Sequence, residues 1–181
     1  MLEQRLQRAE ERVREYLARH GADLPSVRIA IEPELGKGTL ATHRHPGTVV
    51  VREASVPESV IAHELVHVAQ GTLEQFRGFR LLYTLLAEGL AEWVAKTLYP
   101  EHEVKYDAGY RLMSLLVAVD ERVIGKLLRL NDLPLGLEDA EAILASPRLP
   151  DYSRGLLNSM ADQIRESVAA AIEAGEYGTK G

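Results

Sequence analysis

Residues 56–70 constrain the chain more than any other segment. They read V-P-E-S-V-I-A-H-E-L-V-H-V-A-Q. Ser55 just ahead can cap a helix, Pro57 suits its first turn, and Glu58 completes a capping box three residues after the serine. Gly71 can stop it. The predicted helix is apolar except where His63, Glu64 and His67 interrupt Ile61, Ala62, Leu65, Val66, Val68 and Ala69. A helix this apolar belongs inside the molecule. Burying two histidines and a glutamate without partners costs several kcal/mol. A bound cation removes that cost.

The elements around this helix set the fold class. Leu2, Leu6, Ala9, Val13, Tyr16 and Leu17 recur at helical spacing and predict a packing helix that ends near His20, with Gly21 as its stop. Val27, Ile29 and Ile31 alternate with Arg28, Ala30 and Glu32, which predicts a short strand. Thr39 to His45 and Thr48 to Glu53 flank Pro46-Gly47, a turn signal, and so predict a β-hairpin. Val49-Val50-Val51 is apolar on both faces and belongs inside the sheet. Further helices are predicted over 80–99, 108–130, 138–145 and 151–174. Helix, small sheet, then helices only is an α+β order. The expected sheet is three-stranded and mostly antiparallel. One domain is expected over 1–181, with 1–71 holding the sheet and the polar helix and 72–181 a helical subdomain.

His63-Glu64-Leu65-Val66-His67 is an H-E-x-x-H motif. Residues four apart on a helix project from one face, so both imidazoles can share one zinc at roughly 2.0–2.1 Å. Glu64 lies beside that face, placed to take a proton from an activated water rather than to bind metal. A catalytic zinc takes three protein ligands and keeps a position open, so one more donor must come from elsewhere. Glu88 and Glu92 are again four apart, in Ala87-Glu88-Gly89-Leu90-Ala91-Glu92. Alone, Glu88 reads as a solvated acid and Glu92 as an ion-pair partner of Lys96. Beside two histidines, Glu88 becomes the third ligand and Glu92 the acceptor of the His63 ring N–H, an arrangement that fixes the ligand's tautomer. Gly89 would let this helix approach another backbone closely.

The H-E-x-x-H motif, twenty intervening residues, and then Glu88-Gly89-Leu90-Ala91-Glu92-Trp93 together resemble a gluzincin metallopeptidase. The small size resembles the minigluzincins and peptidase-MA-like proteins. The signature covers 56–95, and the preceding sheet extends the resemblance to about 39–130. It implies a zincin-like fold with His63, His67 and Glu88 binding Zn²⁺, Glu64 as general base and acid, and Glu92 behind His63. It implies that the strand at Thr39 to His45 is an edge that aligns an extended peptide antiparallel to itself, a mode in which backbone bonds supply affinity. It also implies a tyrosine donor to the oxyanion. Tyr106 is the first candidate and Tyr110 the second, and a packing role is open for both.

The implied activity is hydrolysis of peptide bonds in peptides or flexible protein segments. Two other readings stay open: a zinc-binding interaction module that does not hydrolyse, and a latent peptidase whose residues 173–181 occupy its own cleft. His43 and His45 alternate on one strand face and read as polar edge residues that discourage aggregation, with substrate or metal contact as the alternative. His20 and His102 read as surface residues. The chain has no cysteine, which excludes thiol catalysis and Cys-type zinc sites. Its net charge of −6 argues against a duplex-binding surface. No signal peptide or bilayer span is legible, so the expectation is a cytoplasmic protein with no membrane and no nucleic-acid partner.

Overall fold

The computed structural model describes residues 2–44, 46–71, 80–119 and 121–128. The helices predicted over 138–145 and 151–174, the terminal segment 173–181, His45, and 72–79 of the connection after Gly71 lie outside the described residues.

Helix α1 (Leu2–Arg19) buries Ala9, Val13, Tyr16 and Leu17, the stripe its periodicity marks. Its end is a Schellman motif. Gly21 takes φ 71°, the Gly21 N–H donates to Ala18 O, and the Ala22 N–H donates to Leu17 O. His20, expected at the surface, keeps only 12% of its side chain exposed, and its ring lies 4.8 Å from that of Tyr16.

Three strands follow: β1 (Arg28–Ile31), β2 (Ala41–Arg44) and β3 (Thr48–Val51). The hairpin forms as its turn signal predicts, with Ala41 opposite Val51 and Arg44 opposite Thr48. Gly47 takes φ 127° at the turn, and a Cβ there would meet Ser26 O at 2.7 Å. The spatial order is β1-β3-β2. Thus β3 is central, and Val49, Val50 and Val51 are fully buried. The expectation of a mostly antiparallel sheet is corrected here, because β1 pairs with β3 in parallel, Arg28 opposite Thr48. The hairpin turn fixes only β2 against β3. A strand buried on both faces belongs inside the sheet, and the chain puts β3 there by leaving a slot between β1 and β2.

Helix α2 (Glu58–Gln70) packs against β2, β3 and α1. Gly71, at φ 77°, ends it and donates its N–H to His67 O. The predicted capping box does not form. Pro57 holds the N-cap position with extended backbone and no side-chain cap, while Ser55 stays exposed. Glu58 turns instead to α1, where it accepts a 2.8 Å hydrogen bond from Arg8 Nε.

Helix α3 (Arg80–Leu98) and helix α4 (Asp107–Val119) cross at two glycines. A Cβ on Gly89 would lie 2.3 Å from Gly109 O, so the two backbones touch where only glycine fits. The single helix predicted over 108–130 is broken, and α5 (Val123–Leu128) starts afresh to pack on α2, α3 and α4. The apolar period of Leu112, Leu116, Val123 and Leu127 runs straight through the break, so the pattern could not reveal it. One apolar core joins all of these elements. No helix among the described residues is long and apolar enough to cross a membrane.

Candidate metal centre

Because α2 places His63 and His67 one turn apart, both rings face α3 from the same side. There, α3 offers Glu88. The His63 Nε2, His67 Nε2 and Glu88 Oε2 atoms form a near-equilateral triangle. Each nitrogen is 3.2 Å from the oxygen, and the two nitrogens are 3.1 Å apart. Two donors bound to one tetrahedral zinc at 2.0–2.1 Å lie roughly 3.3–3.4 Å apart, so these three atoms stand within a few tenths of an ångström of the spacing of ligands on one such ion. Both ring nitrogens face the same carboxylate oxygen, which pairs the three atoms without a metal and also leaves them as a group that could hold an ion. The side chains of His63 and His67 are 10% and 8% exposed and that of Glu88 is 21% exposed, so Glu88 faces the more open side.

The supports behind these donors are of two kinds. Gln70, three residues beyond His67 on α2, accepts at Oε1 from His67 Nδ1 at 2.8 Å. The same amide donates from Nε2 to Ala87 O, one residue before Glu88. Gln70 thereby holds the proton on His67 Nδ1, so that Nε2 is the nitrogen that could face an ion, and ties α2 to α3. The sequence reading missed it. Its one signal was a polar residue at i+3 from His67, hence on the same face.

Behind His63 stands Glu92, but not as predicted. Its Oε1 is 3.9 Å from His63 Nδ1, beyond hydrogen-bond reach. Glu92 Oε1 instead accepts the backbone N–H groups of Lys105 and Tyr106 at 3.0 and 3.2 Å. Its Oε2 accepts from His102 Nε2 at 2.7 Å. His102 is therefore no surface residue: it is 5% exposed, paired with a carboxylate that is 1% exposed. Nothing in the local sequence announces this partner ten residues away. Lys96, offered as an alternative partner of Glu92, donates instead to Pro100 O and His102 O and shapes the turn that brings His102 inward. His63, Glu92 and His102 are a second buried group that could hold a metal ion. It shares His63 with the first triangle, and its carboxylate is already engaged by three protein donors.

Glu64 is buried beside the triangle and hydrogen-bonds His43 of β2, with Oε2 3.3 Å from Nδ1. The His43 ring also stacks on His67, centroids 4.9 Å apart. His43 therefore faces α2 rather than serving only as a polar edge residue. The signal was parity, since His43 shares a strand face with Ala41, which is buried. Of the two tyrosines, Tyr106 lies with its ring 6.1 Å from that of His63, and Tyr110 stacks on Trp93 at 5.9 Å.

The electrostatics follow from burial and pairing. Burial opposes the charge of Glu88, but the two imidazoles hold its carboxyl well below the usual range. Burial alone would lower His67, yet the facing Glu88 carboxylate pushes it up to about 9. Without metal, His67 thus keeps a proton at neutral pH. Burial likewise works against ionised Glu64, and the His43 hydrogen bond with the nearby His63 and His67 rings more than offsets it. Burial works against Glu92 too. The hydrogen bond from His102, the His63 ring and the Lys105 N–H still bring it below its ordinary value.

Comparison with models of known families, with curated proteins and with solved structures finds no match.

Proposed function

We propose that this chain is a zinc-dependent metallopeptidase of gluzincin type, acting on peptides or flexible protein segments. The observation that carries the reading is the convergence of His63 Nε2, His67 Nε2 and Glu88 Oε2 to within 3.2 Å of one another, with Glu64 alongside. The donor set is two imidazoles and a carboxylate, which suits zinc and leaves a coordination position open. When bound, zinc supplies a Lewis acid that polarises a carbonyl and acidifies water.

The protein's own groups do the rest. Glu64 is ionised at neutral pH, accepts a proton from the attacking water and returns it to the leaving amine. A tyrosine hydroxyl donates to the carbonyl oxygen as that oxygen gains charge. Tyr106 takes this role ahead of Tyr110, because its ring lies beside His63 while Tyr110 stacks on Trp93. Strand β2, which among the described residues pairs with β3 alone, is the edge onto which an extended peptide adds.

Metal analysis tests the site, and a peptide-cleavage assay with and without chelator tests the chemistry. One zinc per chain is expected, lost in His67→Ala and Glu88→Ala but retained in His102→Ala. Zinc lost only in His102→Ala would move the metal to the second group. Glu64→Gln should keep zinc and lose cleavage by roughly 10²–10⁴-fold. Zinc binding without chelator-sensitive cleavage by the parent would make the chain a binding module instead.

A further inference from the structure

We infer that His43 is a positioning residue for Glu64, delivered to the general base by the edge strand. The inference rests on the peptidase reading and extends it to a residue outside both the H-E-x-x-H helix and the glutamate helix. Three observations carry it.

The first is the contact itself: Nδ1 of His43 lies 3.3 Å from Glu64 Oε2. A carboxylate can only accept, so Nδ1 carries the proton in this pair. The second is the stacking of His43 on His67, which fixes the ring plane and so the direction in which Nδ1 points. The third is the strand register. His43 sits opposite Val49, which is fully buried, so the backbone that presents the ring is anchored to the centre of the sheet.

The consequence is orientational. A glutamate on a helix has three rotatable bonds, and freezing them in one pose costs entropy that a general base must recover from its surroundings. The hydrogen bond engages Oε2, which assigns proton transfer to Oε1 and discourages Glu64 from swinging onto the metal as a further ligand. His43 also belongs to the strand onto which the peptide would add. Substrate docking and base orientation therefore share one rigid element.

Two substitutions separate the parts of the contact. His43→Phe keeps a ring on His67 and removes the donor. His43→Asn removes the stack and keeps an N–H donor in nearly the same place. For His43→Phe, hydrolysis should fall by about 10–100-fold through kcat, with zinc affinity changed less than about threefold. His43→Asn should recover much of that loss.

A reading independent of turnover comes from the ring ¹⁵N signals of zinc-loaded protein. His43 should show the Nδ1–H tautomer in the parent and shift toward Nε2–H in Glu64→Ala. Should Glu64→Ala fail to fold, the two His43 variants carry the test. Parental turnover in His43→Phe, or His43 ring signals indifferent to Glu64→Ala, overturns the inference. So does a tenfold or greater loss of zinc in His43→Phe, which would make His43 a metal ligand. An inactive but zinc-loaded parent overturns the peptidase reading itself, and with it any catalytic meaning of the contact.

Discussion

Helix α2 is held from two sides by opposite kinds of packing. Toward α1 the contact is apolar inside and charged outside. Ala9, Val13, Tyr16 and Leu17 are buried, while Arg8 and Glu58 meet at the surface. Toward α3 the contact is polar inside: His63, His67 and Gln70 meet Glu88 and the Ala87 carbonyl. Ser59, His63, Glu64, His67, Gln70, Glu92 and His102 are the buried polar or charged side chains among the described residues, and none lies on α1. All but Ser59 belong to one connected cluster. A chain selected only to fold would gain more from apolar residues at the second crossing, because buried charges cost desolvation that their pairing barely offsets. The first contact stabilises the molecule. The second consumes part of that stability to hold a buried polar cluster.

The sharpest break of this comparison pairs two substitutions of similar cost. Leu17→Ala empties a fully buried position on α1 and should destabilise by roughly 2–5 kcal/mol. Gly89→Ala drives a Cβ into the Gly109 backbone and should cost about 3 kcal/mol. Denaturant melts would not tell them apart. Zinc titration of the folded fraction should, because moving α3 off α4 displaces Glu88, whereas a cavity beneath α1 leaves the three donors where they are. Equal zinc affinity in the two variants would mean that the α3–α4 crossing does not set the site. The next effect in size is Gln70→Leu, which removes the tie between His67 and Ala87 O. Zinc affinity should drop about 10–100-fold, the range for losing an outer partner of a ligand.

These same residues mark what the sequence could disclose. Local geometry decided His63 and His67, since a helix puts i and i+4 on one face whatever lies beyond it. Glu88 followed because such a site needs a third donor and a second i, i+4 pair stood nearby. Gly89 followed because a mid-helix glycine costs stability and so asks for a close crossing, though which backbone it meets was not legible. His102 and the parallel β1 are long-range facts, and so is the Glu64 that His43 meets, although strand parity already marks the inward face of His43. Each depends on how a turn or strand is delivered across the fold, and no local periodicity encodes that. Glu92 was placed near His63, but its actual partners, His102 and two backbone N–H groups, lie on a loop whose path the sequence leaves open. The false capping box failed for a related reason. Ser55 and Glu58 have the spacing, but Glu58 found a guanidinium on another helix.

Acidity sharpens the contrast in another way. In metal-free protein His67 sits near 9, above its unfolded value of 6.5, because Glu88 faces it. Its contribution to stability is therefore complete below about pH 6.5 and is lost as pH climbs through 9. Chelated protein should melt progressively lower over that interval, while zinc-loaded protein, with this nitrogen already deprotonated, should not. For the same reason zinc must displace a proton at pH 7. Calorimetry in buffers of different ionisation heat should find about one proton released per zinc, and affinity should rise with pH up to about 9. Zinc binding without proton release would mean that the Glu88–His67 pair is not what the metal replaces.

The smallest effects belong on the α1 side, and Ser55 supplies the cleanest one. A serine that caps a helix loses about 1 kcal/mol on mutation to alanine. Here Pro57 occupies the cap position without a side-chain hydrogen bond, and Ser55 is exposed ahead of it. Ser55→Ala should therefore stay within about 0.5 kcal/mol of the parent, as ordinary surface changes do. Arg8→Ala, which removes an exposed partner of Glu58, should leave zinc affinity untouched, because that pair stands at the opposite end of α2 from His67 and Gln70. A full capping loss in Ser55→Ala would restore the local reading of this helix start. A zinc defect in Arg8→Ala would show that the two sides of α2 are coupled rather than divided between stability and chemistry.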